Sequence, residues 1–573
     1  TLSTFTWGEE YTLTISGHQG LTGSIDAGLY IKEGTFDTSN NGTEELDLTV
    51  TKAVQIGDAT GSANTAILDG DAGNMSFGSV IIKSDGKYIA TSATTLITSG
   101  ADSGTWGLQN GGTFDANGGT IKVTSSESTV HIQGDTFNNI TVSMGSSSNN
   151  TKFRDNSAGT VTIEGDLLLE EGKFFRDNAA DGLQVNGDVT TEMGSTFGAL
   201  ADTGTNDLRG SLTIAGGSTC VLSQNTTKVA GTLNLSGSFN ANGGTLKLEN
   251  TSEKTHSVAN GTTFANLQKT TAETCTFATN SQLVITDSLT IDSSCNFKTR
   301  NGNQFTFGDA STICTITNNG TFSNRNNNNT VTFQAGSELK PFVFTGNDFD
   351  WDQDASSGNV QNYVISNCNW DPDITTGEYV SIQLGGNCEF DAVTVSSNST
   401  FDFNGKRGEF SGNFEMVGGG TPGAVDWAGS MFVGKGTINL NGKFPTSDAN
   451  TIIIHDPASA SEKAVTSMYT NGTFFNQSNE TEVTGYGWTS GTPDYVLEKI
   501  VVGGLLDCQQ NVQCKKMVVA YDTSASLGKL NGIDRTITIE EDLLMSGGLI
   551  GYSALDFDGS NDNVNCGNDS SLS

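Results

Sequence analysis

The sequence predicts an all-β protein whose strands wind into a parallel β-helix (a β-solenoid), and three observations support this prediction. Apolar and polar residues alternate over short stretches along most of the chain, whereas the 3.6-residue spacing of helices is almost absent. A Cys-x-apolar unit recurs about every 20 residues in the middle of the chain. Longer segments recur after about 125 residues, which predicts that coils of about 20 residues are grouped into tandem units.

The Cys-x-apolar unit identifies the residues that are predicted to line the interior. Residues i and i+2 of a strand share one face, so each Cys points the same way as its apolar partner. The regular spacing of neighbouring copies predicts that like residues stack from coil to coil at about 4.8 Å. A β-sandwich with evenly spaced hairpins is the alternative explanation of this spacing. The predicted core ladder consists of Cys275, Phe277, Cys295, Phe297, Cys314, Ile316, Cys368, Trp370, Cys388 and Phe390.

Two further repeats extend the pattern. The run Phe-Arg-Asp-Asn at 153–156 recurs at 175–178 and predicts the same interior column without cysteine. The segment 112–123 recurs as 237–248. Its Asn-Gly-Gly steps supply the positive φ angles that tight corners need. About four of the longer tandem units are predicted to fill residues 106–552.

Changes in the regularity of the repeats predict that the chain is divided into five parts. Less regular strands predict an N-terminal cap or attachment region, and a concentration of Pro and Trp predicts an insertion or excursion from one coil. The predicted parts are 1–105 (irregular β cap), 106–420 (solenoid repeats), 421–495 (insertion), 496–552 (final coils) and 553–573 (a terminal strand or the start of a β-sandwich).

Composition and charge narrow the classes of partner. The 573 residues include 71 Gly and only 6 Pro, which suits repeated tight turns. A formal net charge of −36 predicts repulsion from nucleic acid and from anionic membrane surfaces, and it indicates either solubility or a cation-binding surface. No apolar run is long enough to predict a membrane span. Nine cysteines leave at least one unpaired or bonded to another chain, and Cys508 and Cys514 are candidates for a disulfide.

One acidic stretch is the best candidate for a chemical site. Alternating carboxylates suit Ca²⁺, although the stretch lacks the turn Gly and terminal Glu of a helix–loop–helix calcium loop. Paired carboxylates beside Trp351 and Trp370 would also suit hydrolysis of a sugar chain. An exposed, solvated acidic face is the third explanation. The candidate metal ligands are Asp348, Asp350, Asp352 and Asp354.

No other pattern predicts a catalytic or cofactor site. The scattered histidines His18, His131, His256 and His455 are predicted to lie at the surface or in turns. The sequence has no phosphate-binding loop, dinucleotide fingerprint or zinc-protease motif. We therefore expect no catalytic residues and no cofactor apart from Ca²⁺.

Two resemblances to known families add expectations. Residues 554–569 resemble the opening strand of LamG-like (concanavalin-type) domains, although Asn563 stands where an aromatic residue is usual. The units G-x-F-x-A-N-G-G-T and T-F-x-N-[IL] are similar to β-helical repeats of bacteriophage tail fibres and related virion appendages, and of bacterial surface adhesins. The resemblances imply a homo-oligomer (a trimer in such fibres), other virion or surface proteins and cell-surface glycans as partners, and a place on the virion surface or outside the cell.

Three functions are therefore expected. The first is a structural and adhesive fibre, most simply a bacteriophage virion appendage that presents surface-binding regions. The second is a bacterial or archaeal cell-surface adhesin or surface-layer protein. The third is a β-helical tailspike enzyme that degrades polysaccharide, for which a groove with paired carboxylates near Asp348 is required.

Overall fold

The computed structural model describes residues 13–15, 27–39, 46–60, 62–98, 106–156, 159–325, 330–351, 355–357, 359–416, 424–426, 431–439, 452–457, 461, 463–466, 473–476, 480–484, 496–520, 528–532, 535–546, 549–551, 554–556 and 563–565. The chain divides into two compact units, unit 1 (Thr1–Ala278) and unit 2 (Thr279–Ser573).

The β-solenoid prediction is confirmed. The described residues form strands and no helix, and the pairings between these strands within each unit are parallel. The β-sandwich alternative is wrong, because sandwiches are built from antiparallel strands. No helix capable of crossing a membrane occurs among the described residues.

Unit 1 is built on three ladders of parallel strands, and the third ladder is interrupted between Thr113–Asp115 and Thr136–Phe137, which belong to separate sheets. Ladder 1a comprises Leu13–Ile15, Leu48–Ile56, Met75–Ile82, Thr94–Ile97, Thr120–Val123, Asn139–Ser143, Leu167–Glu171, Val189–Thr191, Leu212–Ile214, Leu233–Leu235 and Lys254–Val258. Ladder 1b begins with Ala27–Ile31, shares Leu48–Ile56 and Met75–Ile82, and continues with Trp106–Asn110, Thr129–Gln133, Asn150–Arg154, Lys173–Arg176, Thr196–Phe197, Thr219–Val221 and Ser238–Asn240. Ladder 1c comprises Gly34–Asp37, Ala66–Asp69, Gly86–Ile89 and Thr113–Asp115, followed by Thr136–Phe137, Thr160–Ile163, Gly182–Val185, Asn206–Leu208, Thr226–Val229, Thr245–Leu248 and Thr262–Lys269. The strand Cys275–Phe277 pairs with Lys254–Val258.

The Phe-Arg-Asp-Asn repeat of unit 1 does not keep one orientation. The motif would align Phe153 with Phe175, but Phe153 pairs with the next residue, Arg176. A slip of one residue turns a side chain to the opposite face of a strand. Phe153 therefore stacks on Phe174 with ring centroids 4.9 Å apart, and Phe175 points outward. The prediction that 153–156 and 175–178 form one column is wrong.

The same slip places a charged side chain inside unit 1. Arg176 is buried, and its Nη1 donates to Asp202 Oδ2 at 3.1 Å. Its Nη2 donates to the carbonyl of Gly204 at 3.1 Å and to the side-chain oxygen of Asn206. Asp202 is buried as well, so the guanidinium and carboxylate offset each other's loss of hydration.

The Asn-Gly-Gly corners behave as their sequence predicts. Asn117 and Gly118 have φ angles of 44° and 76°, and Asn242 and Gly243 have 53° and 74°. Only Gly, and less often Asn, adopts this region without strain. The two copies nevertheless lie in different ladders, since Thr120–Val123 belongs to ladder 1a and Thr245–Leu248 to ladder 1c.

Unit 2 is also built on three ladders, and the first ladder is interrupted between Phe349–Asp350 and Ile374–Thr375, which belong to separate sheets. Ladder 2a comprises Asn296–Arg300, Thr321–Arg325 and Phe349–Asp350, followed by Ile374–Thr375, Val393–Val395, Phe414–Met416, Ile438–Asn439, Ala464–Thr466, Thr481–Thr484, Leu505–Cys508, Lys529–Asn531 and Leu549–Gly551. Ladder 2b comprises Gln282–Ile291, Gln304–Phe307, Val331–Ala335, Gln361–Ser366, Val380–Leu384, Thr400–Asp402 and Ala424–Asp426. Ladder 2c shares Gln282–Ile291 and continues with Thr315–Asn318, Phe342–Gly346, Cys368–Trp370, Cys388–Phe390, Arg407–Phe410, Met431–Gly434, Ile452–His455, Thr473–Asn476, Leu497–Val502, Val512–Ala520, Thr536–Ser546, Ala554–Asp556 and Asn563–Asn565.

The members of the predicted core ladder are all buried, but they do not form one column. Cys368 pairs with Cys388 in ladder 2c, and Trp370 pairs with Phe390, so these two copies stack as predicted. Phe297 instead pairs with Phe322 in ladder 2a. Ile316 lies in ladder 2c, where it pairs with Phe344. The copies at Cys295 and Cys314 therefore face the interior from different ladders, because the coils there are longer than the spacing between the two Cys-x-apolar units.

Three predicted parts of the chain contain strands that belong to the ladders. Leu48–Ile56 and Met75–Ile82, within 1–105, pair with each other in unit 1. The strands described between 431 and 484, within the predicted insertion 421–495, pair coil to coil in ladders 2a and 2c. Ala554–Asp556 and Asn563–Asn565 pair in parallel with Thr536–Ser546. The described strands in these parts are therefore coils of the solenoid.

Replacing Cys295 by Asp should destabilise the protein by several kcal/mol. Cys295 is buried, and the substitution would take a carboxylate out of water at this position. The free energy of unfolding in urea measures the loss. Asn296→Asp is the matched control, because Asn296 is the half-buried neighbour on the same strand. Equal stability of Cys295→Asp and the parent would show that the thiol faces water.

Candidate functional site

The predicted acidic stretch lies where the three ladders of unit 2 bring large aromatic rings together. Trp351 follows the ladder 2a strand Phe349–Asp350, Tyr363 lies in ladder 2b, and Trp370 lies in ladder 2c. Each of these residues occupies an inward position of its coil and is buried. The cluster is therefore part of the core.

The rings of this cluster pack closely. The centroids of Trp351 and Trp370 are 5.2 Å apart, and Tyr363 stands perpendicular to Trp351 at 5.0 Å. Phe344 stacks on Trp370 at 4.0 Å with nearly parallel planes. The hydroxyl of Tyr363 donates to the carbonyl oxygen of Trp351 at 2.8 Å. Since Trp351 and Trp370 are 1% and 0% exposed, neither ring offers a face to a sugar chain.

The carboxylate of Asp348 holds the two indoles together. Trp351 Nε1 donates to Asp348 Oδ2 at 3.0 Å, and Trp370 Nε1 donates to Asp348 Oδ1 at 3.1 Å. The backbone N–H of Phe349 donates to Oδ1 at 2.8 Å. Burial raises the pKa of Asp348 to about 7 despite these donors, since loss of hydration disfavours the charged form. This carboxyl group joins ladder 2a to ladder 2c.

This geometry does not suit Asp348 as a Ca²⁺ ligand. Calcium takes six to eight oxygen ligands, whereas both oxygens of Asp348 face N–H donors. Asp350 is half-buried in the strand that pairs with Thr321–Arg325. Asp352 and Asp354 lie outside the described residues. Within the part of the chain that the structure describes, no group of three His, Cys, Asp or Glu side chains is arranged to hold a metal ion.

An acidic groove of about 330 Å³ lies outside ladder 2c. Glu389 and Glu409 are directly paired neighbours on successive coils, and both point away from the core. Lys435 Nζ contacts Glu409 Oε1 at 2.7 Å, and this partner raises the pKa of Lys435. Ser411 Oγ donates to Asp391 Oδ1 at 2.8 Å. The lining residues are Asn369, Asp371, Glu389, Phe390, Asp391, Glu409, Ser411 and Lys435.

The groove was missed from the sequence, although a signal for it was present. In both Cys368–Trp370 and Cys388–Phe390 the aromatic residue is followed directly by Asp, at Asp371 and Asp391. The central residue of each unit faces outward, because its two neighbours face inward. A Cys-x-aromatic-Asp unit repeated on consecutive coils thus predicts a row of polar side chains on the outer surface.

Two of the histidines correct the sequence-based expectation. His256 and His455 are buried, not exposed as predicted. The Nδ1 of His256 accepts from the backbone N–H of Leu233 at 3.1 Å, and burial lowers the pKa of His256 to about 4. His455 contacts Thr481 Oγ1 at 2.9 Å and the carbonyl oxygen of Gly436 at 3.1 Å. His131 is half-buried, and His18 lies outside the described residues.

Cys508 and Cys514 are free thiols, so the candidate disulfide between them is not formed. Burial raises the pKa of Cys508 to about 12, and the pKa of Cys514 is raised for the same reason. A thiol with a raised pKa is a poor nucleophile, since the thiolate is the reactive form. These thiols serve as small apolar side chains in the core.

Comparisons with protein-family models, with curated proteins and with solved structures find no match for this chain. The class of protein is therefore defined by the architecture alone: each unit is a parallel β-solenoid.

The raised pKa of Asp348 predicts a loss of stability as the pH rises. The pKa in the unfolded chain is near the ordinary 3.8, so the folded state favours the protonated carboxyl group. The stability present at pH 4 is then lost between about pH 4 and pH 7, by up to about 4 kcal/mol. Urea unfolding at pH 4.5, 6 and 8 measures this change. Asp348→Asn should flatten the pH profile, because an amide does not titrate.

Asp371→Asn is the control for this experiment. It removes an exposed carboxylate next to Trp370 and corrects for the general repulsion among the acidic groups. Identical pH profiles of the parent and Asp348→Asn would mean that Asp348 stays ionised in the folded protein throughout this range.

Proposed function

We propose that this protein is an extracellular structural and adhesive fibre protein, most simply a bacteriophage virion appendage that presents surface-binding regions. The observation that carries the proposal is the parallel pairing of successive coils in each unit. The interior is formed from apolar columns such as Phe344, Trp370, Phe390 and Phe410. This architecture requires no ligand and no catalytic residue to serve a mechanical role.

Stiffness within each unit is the physical property that supports this role. Parallel ladders on two or three faces hold successive coils together, so bending strains hydrogen bonds on several faces at once. The packed rings between the ladders resist compression, because protein interiors are as dense as organic crystals. The net charge of −36 keeps such chains soluble at high concentration.

The proposed partners rest on the resemblance of the repeat units. They are further copies of this chain in a homo-oligomer, with a trimer as the simplest form, other virion or surface proteins, and cell-surface glycans. We place the protein on the virion surface or at the cell surface. A bacterial or archaeal adhesin or surface-layer protein is the alternative, because the same mechanical properties serve a cell envelope.

Immunogold labelling tests this assignment. Antibodies raised against the folded chain should label virus particles purified from the source culture at their tails or fibres. Labelling confined to the cell envelope would select the adhesin alternative. Labelling of neither, with the protein found in the cytoplasm, would contradict both forms of the proposal. Pre-adsorption of the antibodies with purified protein is the control for specificity.

Polysaccharide degradation is a second candidate function, and the groove outside ladder 2c is the observation that favours it. Glu389 and Glu409 are stacked on adjacent coils, and Asp371 and Asp391 complete an acidic lining. Pairs of carboxylic acids at suitable separation are the chemical means of glycoside hydrolysis. The groove is separate from the predicted cluster, whose Trp351 and Trp370 are buried.

Viscometry separates this candidate from the structural role. We expect the viscosity of alginate and of capsular polysaccharide to stay constant during incubation with the purified protein. A decline that disappears in Glu389→Gln but persists in Asp207→Asn, a substitution on the exterior of unit 1, would establish the enzyme. A decline that both variants retain would instead reveal a contaminating activity.

A further inference from the structure

The outer surface of ladder 1b differs in chemistry from the acidic character of the chain. One outward column consists of Trp106, His131, Lys152 and Phe175, each paired with the next on successive coils. Arg154 and Lys173 flank this column on the same strands. We call this surface the 1b face, defined by Trp106, His131, Lys152, Arg154, Lys173 and Phe175. All six side chains are exposed or half-buried.

The rings and cations of the 1b face are arranged in contact with one another. The ring of Trp106 lies 5.1 Å from that of His131, and Lys152 Nζ lies 5.6 Å from the centre of the Phe175 ring. Packing against neighbouring rings restricts these side chains before any ligand binds, which lowers the entropy lost on binding. The rigid ladder beneath fixes the spacing between successive rows at about 4.8 Å.

Charge on this face is locally reversed. The chain carries 64 acidic and 28 basic residues, yet Lys152, Arg154 and Lys173 converge here. The carboxylate of Asp177 lies 3.2 Å from His131 Nδ1, 3.8 Å from Lys152 Nζ and 3.9 Å from Arg154 Nη1. Burial lowers the pKa of His131, so its imidazole is neutral at pH 7. The six side chains that define the face thus include three cations, and Asp177 is the carboxylate that contacts two of them.

We propose that the 1b face binds an anionic polysaccharide, that is, a sugar chain that carries carboxylate or sulfate groups. The solvent-accessible parts of the Trp106 and Phe175 rings offer apolar area for the C–H surfaces of sugars, and the three cations match acidic substituents. The net charge of −36 repels nucleic acids and acidic polysaccharides alike at long range, so the attraction must come from the 1b face itself. A neutral glycan would offer Lys152, Arg154 and Lys173 no acidic group beyond the Asp177 carboxylate that Lys152 and Arg154 already contact.

This inference names the ligand of the surface attachment proposed above and rests on that function for its biological meaning, but its test is independent. Gold labelling of particles without polysaccharide binding would leave the fibre role standing and overturn the 1b face as the binding site. Polysaccharide binding without labelling of particles or cell envelopes would support the 1b face as a binding site and contradict the proposed fibre role.

Biolayer interferometry with the full chain tests the proposal. Alginate supplies carboxylates, dextran sulfate supplies sulfates, and neutral dextran and single-stranded DNA are the comparison ligands. We expect binding to at least one of the acidic polysaccharides, and we expect it to weaken sharply as salt is raised. The double variant Lys152→Gln/Arg154→Gln should bind about tenfold more weakly, whereas Asp177→Asn should bind several-fold more tightly because it removes the opposing charge.

The matched control is Lys228→Gln/Lys247→Gln. These two lysines are paired on successive coils of ladder 1c and also face outward, but no Trp lies between them. Their loss should change the affinity by less than about twofold. Equal weakening by the two double variants, tighter binding to DNA or dextran, or no binding to either acidic polysaccharide would overturn the proposal. Melting temperatures establish that each variant is folded, and Trp106→Leu tests the aromatic contribution separately.

Discussion

Parallel hydrogen bonding between successive coils is the constraint on which the other features of this protein depend. Each strand in the middle of a ladder is paired on both sides, so its position relative to its neighbours can change only by whole residues. A shift of one residue would exchange the interior and exterior sets of side chains over the whole strand. The register therefore decides which residue types are buried, and it decides this separately for every coil. Phe174 and Phe197 share an interior column for this reason, and Arg176 enters the interior within the same strand that turns Phe175 outward.

The architecture was predictable because alternation and repeat spacing are properties of the sequence, but the register was not. Coils that pair in these units differ in length: the coil that carries Ile121 to its partner Ile140 is much shorter than the coil that carries Ile316 to Phe344. The difference is absorbed by the corners, where loop length has little effect on the free energy of folding. A motif can thus recur at one spacing and fall on a coil one residue longer, as happens at 153–156 and 175–178. Motif spacing gives the mean coil length, whereas pairing depends on the length of each corner.

The candidate site was harder to predict, because the meaning of a carboxylate depends on partners that are distant in sequence. In the sequence, Asp348 belongs to an acidic run that is typical of an exposed surface. In the structure, it accepts a hydrogen bond from Trp370, which lies on a strand of another ladder. The indole donors convert an acidic residue into a connection between two ladders of the core. The outer groove presents the opposite case. Its residue Glu389 lies between Cys388 and Phe390, whose inward positions were predicted correctly. Because successive side chains of a strand point to opposite faces, the outward orientation of Glu389 follows directly.

The outer surfaces of this protein differ from one another in charge, whereas its interior is mainly apolar in character. An interior of rings and thiols can be the same on every coil, whereas each outward position is free to vary without affecting the core. Acidic side chains predominate over basic ones in the chain, and they discourage association with other polyanions and with copies of the same surface. Against this background a small positive face acts over a short range only, because salt screens its field within about 10 Å. A ligand bound at such a face must therefore bring acidic groups close to the cations and enough apolar surface to gain from the half-buried rings. Selectivity between ligands then arises from repulsion by the acidic surroundings as much as from attraction by Lys152 and Arg154.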